Sequence, residues 1–178
     1  DEIQGRVRFM FQPGEEGFAG ARIMIDEGVL DGVDRAFALH VSPNQRIGIA
    51  SSKAGAALAG DTSITVTITG RGGHASAPHH ATDPIPATAA IITALQTAVT
   101  REIDVFDPAV LTIAHLVAGT TTNVIPETAF FEGTIRCVSE HTRSRIREAV
   151  ARTVHGVAEA HGCTASLEMV DGYPVTMN

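Results

Sequence analysis

Near the start of the chain, Val7, Phe9 and Phe11 alternate with Arg8 and Met10, the period of two expected for a strand. Gln12-Pro13-Gly14 ends that run as a turn, and Glu15 and Glu16 follow at once. Residues 19–27 are spaced as a short helix closed by Gly28. Residues 35–39, Arg-Ala-Phe-Ala-Leu, predict a second short strand that runs into His40. Strand, turn, helix and strand in this order predict an α/β layer with a parallel strand pair.

The pattern changes at residues 54–60, a run of small residues suited to an interdomain hinge. Beyond it, Ile64, Val66 and Ile68 face one way while Ser63, Thr65, Thr67 and Thr69 face the other, a strand with one wet or interface face. Asp83 and Pro84 open a helix as cap and first residue. Ile85, Ala89, Ile92, Gln96 and Val99 follow at helical spacing, with Leu95 widening the stripe. Strands are predicted over 110–118 and 129–138, a helix over 140–160 with Ile146, Val150, Val154 and Val157 on one stripe, and a last strand over 165–170. The order from 61 to 170 is βαββαβ, a complete ferredoxin-like unit. The expected fold class is thus α/β: a partial α/β layer over 1–57, the βαββαβ domain over 58–170, and a return to the first layer over 171–178.

Composition narrows the function. The 178 residues are 44% hydrophobic and 4% aromatic, so the core has to be built from Val, Ile, Leu and Ala. A formal charge of −7, with basic residues scattered, argues against nucleic acid and against an anionic membrane surface as partners. No run reaches the roughly 18 apolar residues of a membrane span. Two cysteines, Cys137 and Cys163, make no disulfide framework, and a reduced, cytoplasmic setting is expected. Cys137 falls on the apolar face of a strand and reads as core. There is no nucleophile elbow, no P-loop and no dinucleotide fingerprint.

The residues that could carry chemistry lie just past predicted strands or in glycine-rich loops. Glu15 and Glu16 follow the carboxyl end of a strand, where open α/β sheets place their sites. Adjacent carboxylates in a turn point in different directions, so one can bind a cation while the other handles a proton; a solvated acidic loop at a helix start is the plainer reading. His40 also follows a strand, and imidazole with carboxylate is an ordinary donor set for zinc or manganese, although a loop histidine explains it equally. In 70–80, Gly-Arg-Gly-Gly-His-Ala-Ser-Ala-Pro-His-His, three histidines suggest metal, but Pro78 breaks any helix that would align them; a positioned hydrogen-bond donor to a substrate oxyanion is the better reading of this loop. Asn123, in a polar loop, could donate to a carboxylate or cap a turn. Arg136 offers a planar fork for a carboxylate, or pairs with Glu132 on the same face of the strand.

Taken in order, Phe11-Gln12-Pro13-Gly14-Glu15-Glu16-Gly17, Ala38-Leu39-His40-Val41, Gly72-Gly73-His74-Ala75, Asp83-Pro84-Ile85, Asn123-Val124-Ile125-Pro126, Gly133-Thr134-Ile135-Arg136 and Gly172-Tyr173-Pro174 resemble the co-catalytic metal aminoacylase and carboxypeptidase family. The resemblance covers nearly the whole chain and is closest to the branch of hippurate hydrolases, N-acetyl-amino-acid deacetylases and plant auxin-conjugate amidohydrolases. It implies Glu15 as general acid/base, Glu16 and His40 as metal ligands, His74 as a lid residue reaching a partner subunit's site, and Asn123 with Arg136 as holders of a substrate carboxylate. It further implies two divalent metal ions (Zn, Mn, Co or Ni), an N-acyl amino acid as the small-molecule substrate, and a homodimer formed through the βαββαβ lid. The family's remaining ligands, in an earlier glycine-rich loop and near the carboxyl terminus, have no counterpart here. The chain therefore reads as an internal segment that alone binds little or no metal and turns over little. A non-catalytic dimerisation or ligand-binding lid module is the alternative; a degenerate homologue is disfavoured by intact Glu15, Glu16 and His40.

Overall fold

The computed structural model describes residues 4–17 and 19–178. The chain divides into two compact units, Asp1–Ile49 and Ala50–Asn178. In the first, one helix, α1 (Gly20–Asp26), stands where the sequence predicts it, followed by Gly28 at φ +84°. The expected strands over 7–11 and 35–39 are not formed: neither segment carries a strand. Their apolar side chains lie in the open, Phe9 at 78% and Phe37 at 94% exposure. A strand is held by ladder bonds to neighbours, and two short segments with none on either side leave those bonds unmade.

The second unit begins with β1 (Ala56–Leu58) and continues through β2 (Gly60–Thr69), β3 (Gly73–His74), α2 (Pro84–Glu102), β4 (Ala109–Ala118), β5 (Val124–Ile125), β6 (Thr128–Cys137), α3 (Glu140–Ala160), β7 (Thr164–Asp171) and β8 (Thr176–Met177). The main sheet has the order β4-β6-β2-β7, antiparallel throughout. With two helices between its strands, this is the expected ferredoxin-like unit. Residues past Asp171 stay with it: β8 pairs with β1, which sits in the stretch expected as a hinge.

Alternation along β2 and β6 decides which face is covered. Ile64, Val66, Ile68, Phe131 and Ile135 are almost fully buried beneath α2 and α3. The intervening residues, from Ser63 to Thr69 on β2 and Thr134 and Arg136 on β6, form the opposite face. Helix α3 buries Ile146, Val150 and Val154 as its spacing predicts, and Ser139 caps it by accepting from the Thr142 amide. Helix α2 is turned from expectation: Ala87, Ile91, Leu95 and Ala98 are buried, while Ile85 is 41% exposed. Its sequence is apolar on nearly every side, so two stripes fit a 3.6-residue period and the sheet chooses between them. Cys137 and Cys163 are buried and unpaired. Burial, helped by the nearby Asp83, pushes the Cys163 thiol up.

Two carboxylates tie connections to this core. Asp107 accepts from Ser139 Oγ (2.5 Å) and Thr142 Oγ1 (2.7 Å), and Asp171 accepts from Thr62 Oγ1 (2.7 Å) with Arg147 beside it. These hydrogen bonds, with the guanidinium near Asp171, hold both carboxyls below the usual aspartate value. A depressed folded pKa stabilises above the unfolded value of about 3.9, and that contribution disappears as pH falls through the lowered folded value. Thermal unfolding followed from pH 7 to pH 2 should therefore show the midpoint falling below about pH 4. Asp107→Asn with Asp171→Asn should lower the neutral-pH midpoint and flatten the acid fall; an unchanged acid limb would reject the assignment.

Candidate functional site

The glutamate loop of the first unit is folded back on α1. The Gly20 amide donates to Gly14 O (3.4 Å), and the Gly17 amide to Glu15 O (3.1 Å). A Cβ at Gly20 would stand 1.6 Å from Pro13 O, so only glycine lets the loop approach this closely. Gly14 and Gly17 take positive φ on either side of the two glutamates. Glu15 and Glu16 are exposed, as is His40. His40 Nδ1 lies 2.6 Å from Val41 O; a carbonyl only accepts, so this contact puts the proton on Nδ1 and leaves the Nε2 lone pair outward. A neutral ring in this tautomer can ligate a metal only through Nε2. These donor types suit a divalent transition metal, but among the described residues no group of three or more His, Cys, Asp or Glu side chains could hold one.

In the second unit the structure brings His74 and Asn123 together. β3 and β5 pair with His74 opposite Val124, and the Ala75 amide donates to Asn123 O (3.0 Å). Glycine again permits the approach: a Cβ at Gly70 would meet Thr82 O at 2.1 Å. The Arg71–Thr82 amide–carbonyl pair, 2.8 Å each way, closes the loop that carries His74. His74 lines an open cleft of about 390 Å³ with Val124, Ile125, Pro126 and Glu127.

Both side chains are oriented by a neighbour two residues away. The Ser76 amide, which can only donate, is 3.2 Å from His74 Nδ1, and the Ser76 hydroxyl is 2.8 Å from it. Nδ1 therefore accepts, and the neutral ring carries its proton on Nε2, which favours a donor role over metal ligation. Thr121 Oγ1 donates to Asn123 Oδ1 (2.9 Å), leaving the amide nitrogen to donate elsewhere. The sequence reading passed over Ser76 and Thr121; their i,i+2 spacing from the groups they orient was the available signal.

Arg136 stands apart. It lies opposite Asp61 in the β2–β6 register, with Nη1 3.7 Å from Asp61 Oδ1, while Glu132 pairs with His115 (3.0 Å). The expected alternative of an Arg136–Glu132 pair is therefore replaced by a cross-strand one. His74 and Asn123 lie beyond the sheet end marked by Thr69 and Thr128, and Arg136 lies near the other end of β6. Thr128 and Arg136 are eight residue steps apart along the strand, about 26 Å at ~3.3 Å per step.

Comparison with known proteins supplies the wider setting. Residues 57–161 match the model of the M20 peptidase dimerisation domain. The chain is 37% identical over 181 residues to thermostable carboxypeptidase 2 of Saccharolobus solfataricus, covering 100% of this chain and 46% of that protein. It is 38% identical over 177 residues to N-acetylcysteine deacetylase of Bacillus subtilis, covering 99% and 47% respectively. A solved dinuclear metal-binding M20 peptidase of Bacillus subtilis superposes with a TM-score of 0.75 at 32% identity, over 94% of this chain and 41% of that one. The chain thus spans just under half the length of these curated relatives.

Proposed function

Because this chain belongs to the M20 family through its peptidase dimerisation domain, we propose that it serves metal-dependent hydrolysis of the amide bond of N-acyl amino acids. The observation that carries the reading is the pair of oriented donors at one end of the lid. His74, fixed by Ser76, offers an Nε2 proton, and Asn123, fixed by Thr121, offers its amide protons. Neutral donors preset in this way suit oxygens that are, or become, negative: an acyl oxyanion and an amino-acid carboxylate. Glu15 takes a proton from the attacking water and returns it to the departing nitrogen, with Glu16 and His40 as ligands on the same unit. Divalent metal, zinc, manganese, cobalt or nickel by donor type, lowers the pKa of water and polarises a carbonyl when bound. The two unpaired cysteines favour a reducing cytoplasmic setting.

The lid also favours a homodimer. Edge strand β4 carries no Asp, Glu, Lys, Arg or Pro, its one titratable residue, His115, being paired with Glu132, and Val110, Leu116 and Val117 on it are each more than half exposed. The opposite edge, β7, carries Glu168 and Asp171. A long edge without carboxylates, lysines or arginines invites a second strand, whereas such charges deter one, so β4 is the edge two copies would share. Antiparallel pairing about a two-fold axis sets the Arg136 end of one lid beside the His74–Asn123 end of the other. Only then can Arg136 and Asn123 address one substrate carboxylate.

Turnover and metal binding together test the reading. An enzyme carrying these residues should release the amino acid from N-acyl amino acids in the presence of Mn²⁺ and leave unacylated dipeptides intact; the reverse preference rejects the substrate class. In calorimetry the 178 residues alone should bind Mn²⁺ and Zn²⁺ weakly, unchanged by Glu16→Ala or His40→Ala. Tight stoichiometric binding lost in both variants would mean that these residues complete a metal site.

A further inference from the structure

The turn between α2 and β4 displays Val105 at 78% and Phe106 at 93% exposure. An apolar pair this exposed would ordinarily sit on a loose loop, but here the backbone beneath it is fixed. Asp104 Oδ1 accepts from the Phe106 amide (2.9 Å), and the Asp107 amide donates to Asp104 O (3.1 Å). Ser139 and Thr142 then clamp the Asp107 carboxylate to the start of α3. A rigid turn presenting an aromatic side chain has little conformational entropy left to lose on binding.

At the opposite end of β4 lies a surface that suits it. Leu116 is 53% and Ile85 41% exposed, and a Cβ built at Gly119 would lie 3.8 Å from Ile85 Cδ1 and 3.9 Å from Pro126 Cγ. Glycine leaves that spot uncovered, with apolar atoms around it. The anchor precedes Ala109 and the receiving patch begins at Leu116, so they lie at opposite ends of the same edge strand. When two copies pair β4 antiparallel with full overlap, the segment before Ala109 of one runs past Ala118 of the other. Anchor and patch then meet twice, as a self-complementary two-fold contact requires.

We propose that the Val105–Phe106 turn is an interface anchor that docks on the Ile85–Leu116–Gly119 patch of a second copy of this chain. This rests on the dimer reading above and adds to it the contact that sets the strand register. That register also fixes where Asn123 of one copy falls relative to the other.

Sedimentation of the 178-residue chain over a range of concentrations tests it. Phe106→Ala should weaken the dimer by about 30-fold or more, since the contact is made twice. Val170→Ser, on the opposite sheet edge and 56% exposed, should leave it unchanged. Ile85→Ala should weaken the dimer less, and combined with Phe106→Ala should give less than the sum, as expected of contacting residues. Additive effects, or an unchanged dimer in Phe106→Ala, overturn the anchor while leaving the dimer standing. A wild-type chain that stays monomeric at every concentration overturns the dimer reading and the anchor with it.

Discussion

Glu15→Gln, placed in an active enzyme carrying this chain, should lower kcat on an N-acyl amino acid by about 10³-fold, within the 10²–10⁴ range for loss of a positioned acid/base. The amide keeps the size of the side chain, and the loop is held by backbone contacts that the substitution does not touch: Gly17 N to Glu15 O and Gly20 N to Gly14 O. Metal content should therefore stay near that of the wild type, and KM should change little. Kinetics on N-acyl amino acids with metal analysis of the same samples separate the possibilities. Loss of metal together with activity would make Glu15 a ligand and remove it from the proton-transfer role. Retained activity would mean that another group moves the proton.

The largest expected effect on stability is at Phe131. It is fully buried at the centre of the sheet, opposite Val66 on β2 and Leu116 on β4, beneath the two helices. With aromatics at 4% of the chain, the core has few large side chains to rearrange into a vacated space. Phe131→Ala should cost about 3–5 kcal/mol, the range for removing a buried aromatic ring. That is a large share of the roughly 5–15 kcal/mol stabilising a typical domain. Urea unfolding of the lid should show the midpoint shifted down at unchanged slope. A loss below about 1 kcal/mol would mean that the helices close over the space.

Much of the lid was legible before any coordinates. The period-2 runs at Ile64–Val66–Ile68 and Phe131–Ile135–Cys137 specify strands and their buried faces, because a one-residue slip would turn every core side chain to water. Asp83-Pro84 marks a helix start because the Asp83 side chain satisfies an amide that has no partner inside the helix. The buried face of α2 was not legible, since its apolar residues nearly encircle it. The strands over 7–11 and 35–39 were misread: alternation records a readiness to pair, and pairing needs a neighbour that the sequence of the segment does not contain.

The same division runs through the candidate site. By itself the sequence determined which residue types are present and in what local setting: a glycine-flanked Glu15–Glu16, His40 after an apolar run, His74 in a glycine loop, Asn123 before Val-Ile-Pro. These are properties of short windows, where dihedral freedom and side-chain chemistry act between near neighbours. Only the tertiary structure decided that His74 and Asn123 meet across β3 and β5, and that Arg136 lies toward the far end of β6, opposite Asp61. Contacts between residues tens of positions apart depend on how the strands are ordered and registered. That order is set by burying one common core, a sum over the whole unit that no single window of the chain contains.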